Sequence, residues 1–148
     1  MSVGGWKMRI VHYINQFFAG IGGEDRADTA LETRRGPVGP GLALEKALAG
    51  QGTVISTLIC GDNQFAAHEE AVTQAVLTTL AADPPDLFVA GPAFNAGRYG
   101  LACGALCRAV SERLHIPVLT GLYRDNPAVD LYRRQVVIAP TGESAASM

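Results

Sequence analysis

Residues 86–110, DLFVAGPAFNAGRYGLACGALCRAV, decide how this chain is read. The apolar run Leu87-Phe88-Val89-Ala90 reaches Gly91-Pro92, a bend of small and polar residues follows, and apolar residues then recur at helical spacing. That order predicts a buried strand over 86–90 delivering its end to a helix over 97–114. The helical stripe is Tyr99, Cys103, Leu106/Cys107, Val110 and Leu114, spaced three or four apart. The turn between the two elements carries Asn95, Arg98 and Tyr99, the densest set of chemically capable side chains in the sequence. It is either a functional corner or a well-packed crossover.

Toward the amino terminus the alternation repeats. TVISTLIC, 53–60, is β-branched and apolar and reads as a strand ending at Gly61-Asp62-Asn63. A helix over about 65–81 follows, with Val72, Ala75, Val76 and Leu80 on one side and Glu69 and Glu70 near its positive end. Asp83-Pro84-Pro85 stops it. GLALEKALA, 41–49, predicts a short helix, and MRIVHYI, 8–14, a first strand. Between them lies 15–41, a long, weakly structured, glycine-rich segment. Irregular connections of that length are uncommon and are usually functional or mobile. Beyond residue 114, VLTGLY (118–123) and QVVIA (135–139) read as strands around a brief helical turn through Tyr132, and the tail SAASM reads as the start of a helix.

Strands alternating with helices predict βαβ units: one α/β domain over 1–148, a three-layer α/β/α sandwich on a mostly parallel, Rossmann-like sheet of about five strands. Right-handed crossovers gather the strand ends on one edge, and ligands bind outside it. Asn15-Gln16, Gly61-Asp62-Asn63, Gly91–Tyr99, Tyr123–Asn126 and Thr141-Gly142-Glu143 would line that edge.

With 148 residues, 48% hydrophobic and 18% charged, the chain suits an ordered globular core. A formal charge of −2 offers no basic face for nucleic acid. No apolar run is long enough to span a membrane, and the start MSVGGWKMRI has no secretory core, so the expected location is cytoplasmic. Three cysteines, Cys60, Cys103 and Cys107, suit reduced thiols. Cys103 and Cys107, four apart within the helix, favour apolar packing over metal or redox chemistry, and Cys60 is either a buried thiol or a pocket-edge one. Gly20-Ile21-Gly22-Gly23 matches a dinucleotide fingerprint only loosely, and no phosphate-loop Gly-Lys-Ser/Thr occurs. Asp62, Asn63 and Asn95 are either helix caps or ligand contacts. Arg98 in a first turn opposes the helix dipole, so it needs a carboxylate partner or an anionic ligand. Tyr99 belongs to the apolar stripe and to the functional turn alike, and Glu24 and Glu143 are charges in glycine-rich loops.

Several stretches together resemble one family: HYINQFFAGIGGE (12–24), RGPVGPG (35–41), ICGDN (59–63), DLFVAGPAFNAGRYGLACGALC (86–107), IPVLTGLYRDNP (116–127) and PTGESAASM (140–148). They are similar to the amino-terminal part of the component B selenoproteins of glycine, sarcosine and betaine reductases, to which a D-proline reductase subunit is related. The resemblance implies reductive C–N cleavage of a small amino acid within an oligomeric complex. It implies a pyruvoyl subunit that activates the amine and a component B selenolate that takes the carboxymethyl group. Selenoprotein A receives that group, and thioredoxin supplies electrons. Family component B chains are considerably longer, and their selenocysteine lies far toward the carboxyl end. None of the three cysteines here corresponds to it, so the selenocysteine and the pyruvoyl group belong elsewhere in the complex.

The resemblance thus makes this chain an amino-terminal domain, fragment or separate subunit that contributes substrate-side loops and docks on the rest of component B. The expected substrate-binding residues are Asn15, Asp62, Asn63, Asn95, Arg98, Tyr99 and Tyr123. Arg98 would hold the substrate carboxylate. Glu24 or Glu143 would protonate the leaving amine if desolvation raised its pKa. The alternatives are a selenium-free α/β enzyme acting on small carboxylates, of racemase, lyase or isomerase type, and a non-catalytic ligand-binding or structural subunit.

Overall fold

In the computed structural model, which describes residues 6–147, six strands form a single sheet. The expectation of a leaderless start rests partly on residues 1–5, which lie outside the described residues, as does Met148. The strands are β1 (Met8–Ile14), β2 (Glu32–Arg35), β3 (Gly52–Ile59), β4 (Leu87–Phe94), β5 (Val118–Tyr123) and β6 (Val137–Thr141). The helices are α1 (Pro40–Leu48), α2 (Asp62–Ala67), α3 (Glu69–Ala82), α4 (Gly97–Leu114) and α5 (Pro127–Tyr132). Sheet order is β2-β3-β1-β4-β5-β6, parallel throughout except for β2, which runs antiparallel to β3.

The α/β sandwich expected from the alternation is therefore present, and β1, β5 and α4 have the expected bounds. Three expectations are corrected. The sheet has six strands, because Glu32–Arg35 inside the supposedly irregular 15–41 segment pairs with Ile59–Ser56. Its alternating Glu-Thr-Arg-Arg carries no apolar signature, since an antiparallel edge strand buries little. The helix expected over 65–81 is two helices, broken at His68, so that α2 meets the loop after β1 while α3 lies along the sheet. β4 runs on past Ala90 to Phe94.

α2 to α5 share one face of the sheet. Their core gathers Val11, Tyr13, Leu58, Phe88, Val72, Val76, Tyr99, Cys103, Leu106 and Val110. Among the described residues α1 is the helix on the other face, setting Leu44 and Leu48 against Ile10, Val54 and Val89. The chain steps from β1 to β3 in one direction and then crosses back past β1 to β4. The order therefore reverses between β1 and β4. In open α/β sheets that reversal opens a crevice at the carboxyl ends of the two strands.

Two irregularities shape this crevice. The β4–β5 ladder passes from Ala90–Thr120 straight to Phe94–Leu122, so three residues of β4, Gly91 to Ala93, stand opposite Gly121 alone. Such a bulge bends the strand away from its neighbour. Phe94, at its end, holds φ 54° despite its side chain, and Gly91 holds φ 90°, where a Cβ would lie 2.8 Å from the Ala93 nitrogen. A non-glycine residue in the left-handed region is held there by its surroundings, and such positions concentrate at functional sites.

Candidate functional site

Asn15 and Gln16, directly after β1, turn back toward the start of α2. The Asn15 side chain donates to Asp62 Oδ2 at 3.0 Å and accepts from the Phe18 amide at 3.0 Å. Gln16 Oε1 accepts from the Asp62 amide at 3.1 Å. The loop after β1 also lays the Ala27 carbonyl over α2, where it accepts from the Asn63 and Gln64 amides at 2.9 and 3.1 Å. These contacts satisfy N–H groups that a helix start leaves without partners. Gly61 makes the approach possible, for a Cβ there would sit 2.1 Å from the Ala27 oxygen. Asp62, Asn63 and Asn95 are accordingly not the helix caps that one reading made them: the cap positions are Gly61 and Ala96, neither with a side-chain bond.

The second wall is the β4–α4 turn, held from below by Asn126. This buried side chain donates to the Phe94 and Ala96 carbonyls at 2.9 and 3.1 Å and accepts from the Ala128 amide at 3.0 Å. A Cβ on Gly100 would lie within 2.6 Å of it, so glycine lets α4 settle on Asn126. The Asn95 amide donates to the Glu143 carbonyl at 3.1 Å, tying the segment after β6 to the same corner.

Between these walls lies a cavity of about 520 Å³. Of the residues expected from the sequence, Asn15, Glu24, Asp62, Asn95, Tyr99 and Glu143 line it; Asn63, Arg98 and Tyr123 do not. Sequence reasoning missed the aromatic wall of Phe17, Phe18 and Phe94, in which Phe18 packs 6.0 Å from Phe94 and 5.9 Å from Tyr99. It set Asn126 on the ligand edge but did not foresee that its side chain holds the β4–α4 turn. Gln16-Phe17-Phe18 immediately past a strand end was the available signal. A groove of about 830 Å³ between α3 and α4, lined by His68, Glu69 and Arg108 among others, is larger. It lies on the helical face, whereas the smaller cavity sits at the strand reversal.

Asp62 is the buried carboxyl of the site, 8% exposed. Burial raises its pKa above 3.8, against the lowering effects of the Asn15 hydrogen bond and of Arg98, while Glu24 adds to the rise. Its Oδ1 has no hydrogen-bond partner among the described residues. Glu24 and Glu143, the carboxyls expected to act as acids, are both exposed. Arg98 has the carboxylate partner that its place in a first turn called for: its guanidinium donates to Glu24 Oε1 and to Asn63 Oδ1. Tyr99 is fully buried and lines the cavity from the core side. Its hydroxyl faces the Asn15 backbone without completing a bond, and burial pushes its pKa well up. Tyr123 lies on the opposite face of β5, with the Arg124 guanidinium 5.8 Å from its ring centre.

The three cysteines are buried and unpaired. Burial raises the Cys60 thiol to about 11 and pushes Cys103 and Cys107 up as well. A thiol so disposed is not a nucleophile at neutral pH. No helix among the described residues is long and apolar enough to cross a membrane, and none of their His, Cys, Asp and Glu side chains cluster in threes to hold a metal.

Residues 7–148 match the protein family described as Glycine/sarcosine/betaine reductase selenoprotein B. The chain is 55% identical over 141 residues to the glycine reductase complex component B subunit gamma of Symbiobacterium thermophilum, covering 95% of this chain and 33% of that protein. It is 50% identical over 142 residues to the sarcosine reductase complex component B subunit beta of Peptoclostridium acidaminophilum, covering 96% and 33%. The betaine reductase complex component B subunit beta of the same organism is 38% identical over 140 residues, covering 95% and 32%. The chain thus spans about a third of the length of the curated relatives it matches, and the match falls in their amino-terminal part. No solved structure matches it.

Proposed function

The chain belongs to the glycine/sarcosine/betaine reductase selenoprotein B family, and on that premise we propose that it is the substrate-side domain of a component B reductase. In this reading it holds a small amino acid of the glycine, sarcosine or betaine class during reductive C–N cleavage, within a multi-subunit complex in the cytoplasm. The remaining component B domain or subunit docks on it, and the pyruvoyl subunit, selenoprotein A and thioredoxin act around it. The observation that carries the proposal is a buried carboxyl, Asp62, in the wall of the cavity at the β1–β4 reversal.

A nitrogen leaves carbon readily only when it carries a proton or a permanent charge, and an amine that has given up its ammonium proton on being activated must regain one before it leaves. Asp62, with its pKa raised by burial, holds a proton at higher pH than an exposed carboxyl does and suits the acid role better than Glu24 or Glu143. Asn15, bonded to Oδ2, fixes the carboxyl and leaves Oδ1 for the amine. Arg98 stands behind the lining and serves the substrate carboxylate by exchange: Glu24, which does line the cavity, occupies the guanidinium and is three-quarters exposed, so an incoming carboxylate can take its place while Asn63 keeps its bond. The buried thiols do not fit the nucleophile's role, so the selenolate comes from another part of the complex.

The test uses a chimera in which this chain replaces the matched third of the Symbiobacterium thermophilum relative, assembled with its partners. Asp62→Asn is expected to lower kcat for glycine and sarcosine by about a hundredfold, the lower end for general acid catalysis. Betaine, whose nitrogen is permanently charged, is expected to turn over nearly unchanged in the same chimera built on the betaine reductase relative of Peptoclostridium acidaminophilum. Equal losses on all three substrates would remove the acid role. A wild-type chimera that assembles yet reduces none of them would remove the proposal as a whole.

A further inference from the structure

The two faces of β5 are unlike. Val118, Thr120 and Leu122 point into the core under α4 and are buried, while the alternating Leu119, Gly121 and Tyr123 are each partly open. β6 continues the open side in register, setting Val137, Ala139 and Thr141 beside those three. Parallel strands normally lie in sheets covered on both faces. Here α1 sets Leu44 and Leu48 on a cluster of Ile10, Val54 and Val89 that Leu119 of β5 joins at its margin, and no other helix among the described residues lies on that side to cover β6. Val137 is 66% exposed. The surface so left bare has no charged residue on β5 or β6.

We propose that this helix-free part of the sheet, over β5 and β6, is the docking face for the polypeptide that follows the matched third in the longer relatives. The proposal rests on the component B reading given above. Three observations select that occupant. The relatives have about two thirds of their length beyond the match, and the match is amino-terminal, so a large polypeptide must pack somewhere on this domain. The strand edge does not offer the place, because Pro140 in β6 has no N–H to give to a further strand. The bare face also leads into the site: from Thr141 the chain passes through Gly142 and Glu143 to Ser144, Ala145 and Ala146, which line the cavity. An occupant of this face ends at the lip of the cavity that needs a nucleophile from elsewhere. A segment tethered in the same polypeptide meets the face at an effective concentration that a free partner seldom reaches.

The experiment compares this chain alone with the full-length Symbiobacterium thermophilum relative. Cysteines are placed by Val137→Cys and Leu131→Cys here, and at the aligned positions there. Their maleimide labelling rates are then read residue by residue by mass spectrometry. Leu131, on α5, is 60% exposed and lies away from the face. Both positions are expected to label at similar rates in this chain. In the relative the Val137 position is expected to label about tenfold more slowly or less, as for a site opened only by local unfolding. Should a variant fail to fold, hydroxyl-radical footprinting at positions 119 and 137 gives the same comparison without substitution.

Free labelling of the Val137 position in the full-length relative would overturn the proposal. So would protection that appears only as the protein dimerises with concentration, which would give the face to a second copy. The two readings fail separately. Free labelling in a relative whose chimera reduces glycine sinks the docking face and leaves the reductase reading intact. Protection together with an assembled but inactive chimera does the reverse.

Discussion

At the residue scale the site turns on two groups whose environments differ from what their neighbours in sequence suggest. Arg98 was legible as a charge that needed a partner, but its partner, Glu24, lies 74 positions away, and no local rule connects them. Because the pair is substantially exposed, 40% and 75% by side chain, it contributes at most about 1 kcal/mol to stability. Arg98→Leu should leave the melting temperature nearly unchanged and weaken binding of glycine to the assembled chimera about tenfold or more, while Glu24→Gln, which frees the guanidinium, should tighten it. Calorimetric titration separates the outcomes, and looser binding in Glu24→Gln would refute the exchange.

Asp62 and His12 give opposite pH signatures. Asp62 has its pKa raised above 3.8, so the native state holds the proton more tightly than the unfolded one. Its favourable contribution is complete below about 3.8 and is lost as pH rises through the folded value. His12, buried and donating through Nε2 to the Gly91 carbonyl at 2.6 Å, has its pKa lowered from 6.5 chiefly by burial. Its contribution is intact above about 6.5 and declines as pH falls toward the folded value, where the unfolded chain takes up the proton first. Asp62→Asn should therefore raise the melting temperature at pH 7 by a few degrees and make stability fall more steeply on acidification. Thermal melts between pH 4 and 7 test both signs, and a lower melting temperature for Asp62→Asn at pH 7 would contradict the burial argument.

At the element scale the strongly periodic pieces were legible and their joints were not. α4 is announced by Tyr99, Cys103, Leu106/Cys107 and Val110, because a stripe at 3.6-residue spacing needs only one face to bury. The same argument made its cysteines core residues, as their burial bears out. β2 was invisible because an edge strand of Glu32, Thr33, Arg34 and Arg35 is shaped by the backbone of β3 and not by its own burial. The start of α2 and the extension of β4 likewise answer to packing partners: the loop at Ala27 and the side chain of Asn126. Those partners set the expected costs. Gly61→Ala forces backbone apart at Ala27 and should destabilise by about 2–3 kcal/mol. Asn126→Ala strips partners from two carbonyls and one amide at the β4–α4 turn and should cost about the same. Chemical denaturation reads both, and a loss below about 0.5 kcal/mol at either position would mean that the turn is held by something else.

At the scale of the whole molecule the sheet is covered by four helices on one side and, among the described residues, by α1 alone on the other, which leaves Val137 of β6 exposed there. Val137→Lys, placed at that open position, should leave folding stability within about 0.5 kcal/mol and reduce self-association and dye binding of the isolated chain. Sedimentation and a thermal melt check it, and a large loss of stability would mean that Val137 is already packed. The sequence by itself determined the alternation of strand and helix, the parallel sheet and the family, because all of these follow from periodicities and motifs carried within a few neighbouring residues. Only the tertiary structure decided that Asp62 is the buried carboxyl, that Glu24 holds Arg98, that Tyr123 faces away from the cavity and that Val137 lies open at the β6 end of one sheet face. Burial and ion pairing are properties of surfaces that meet across dozens of residues, and a chain read in order contains no distance between them.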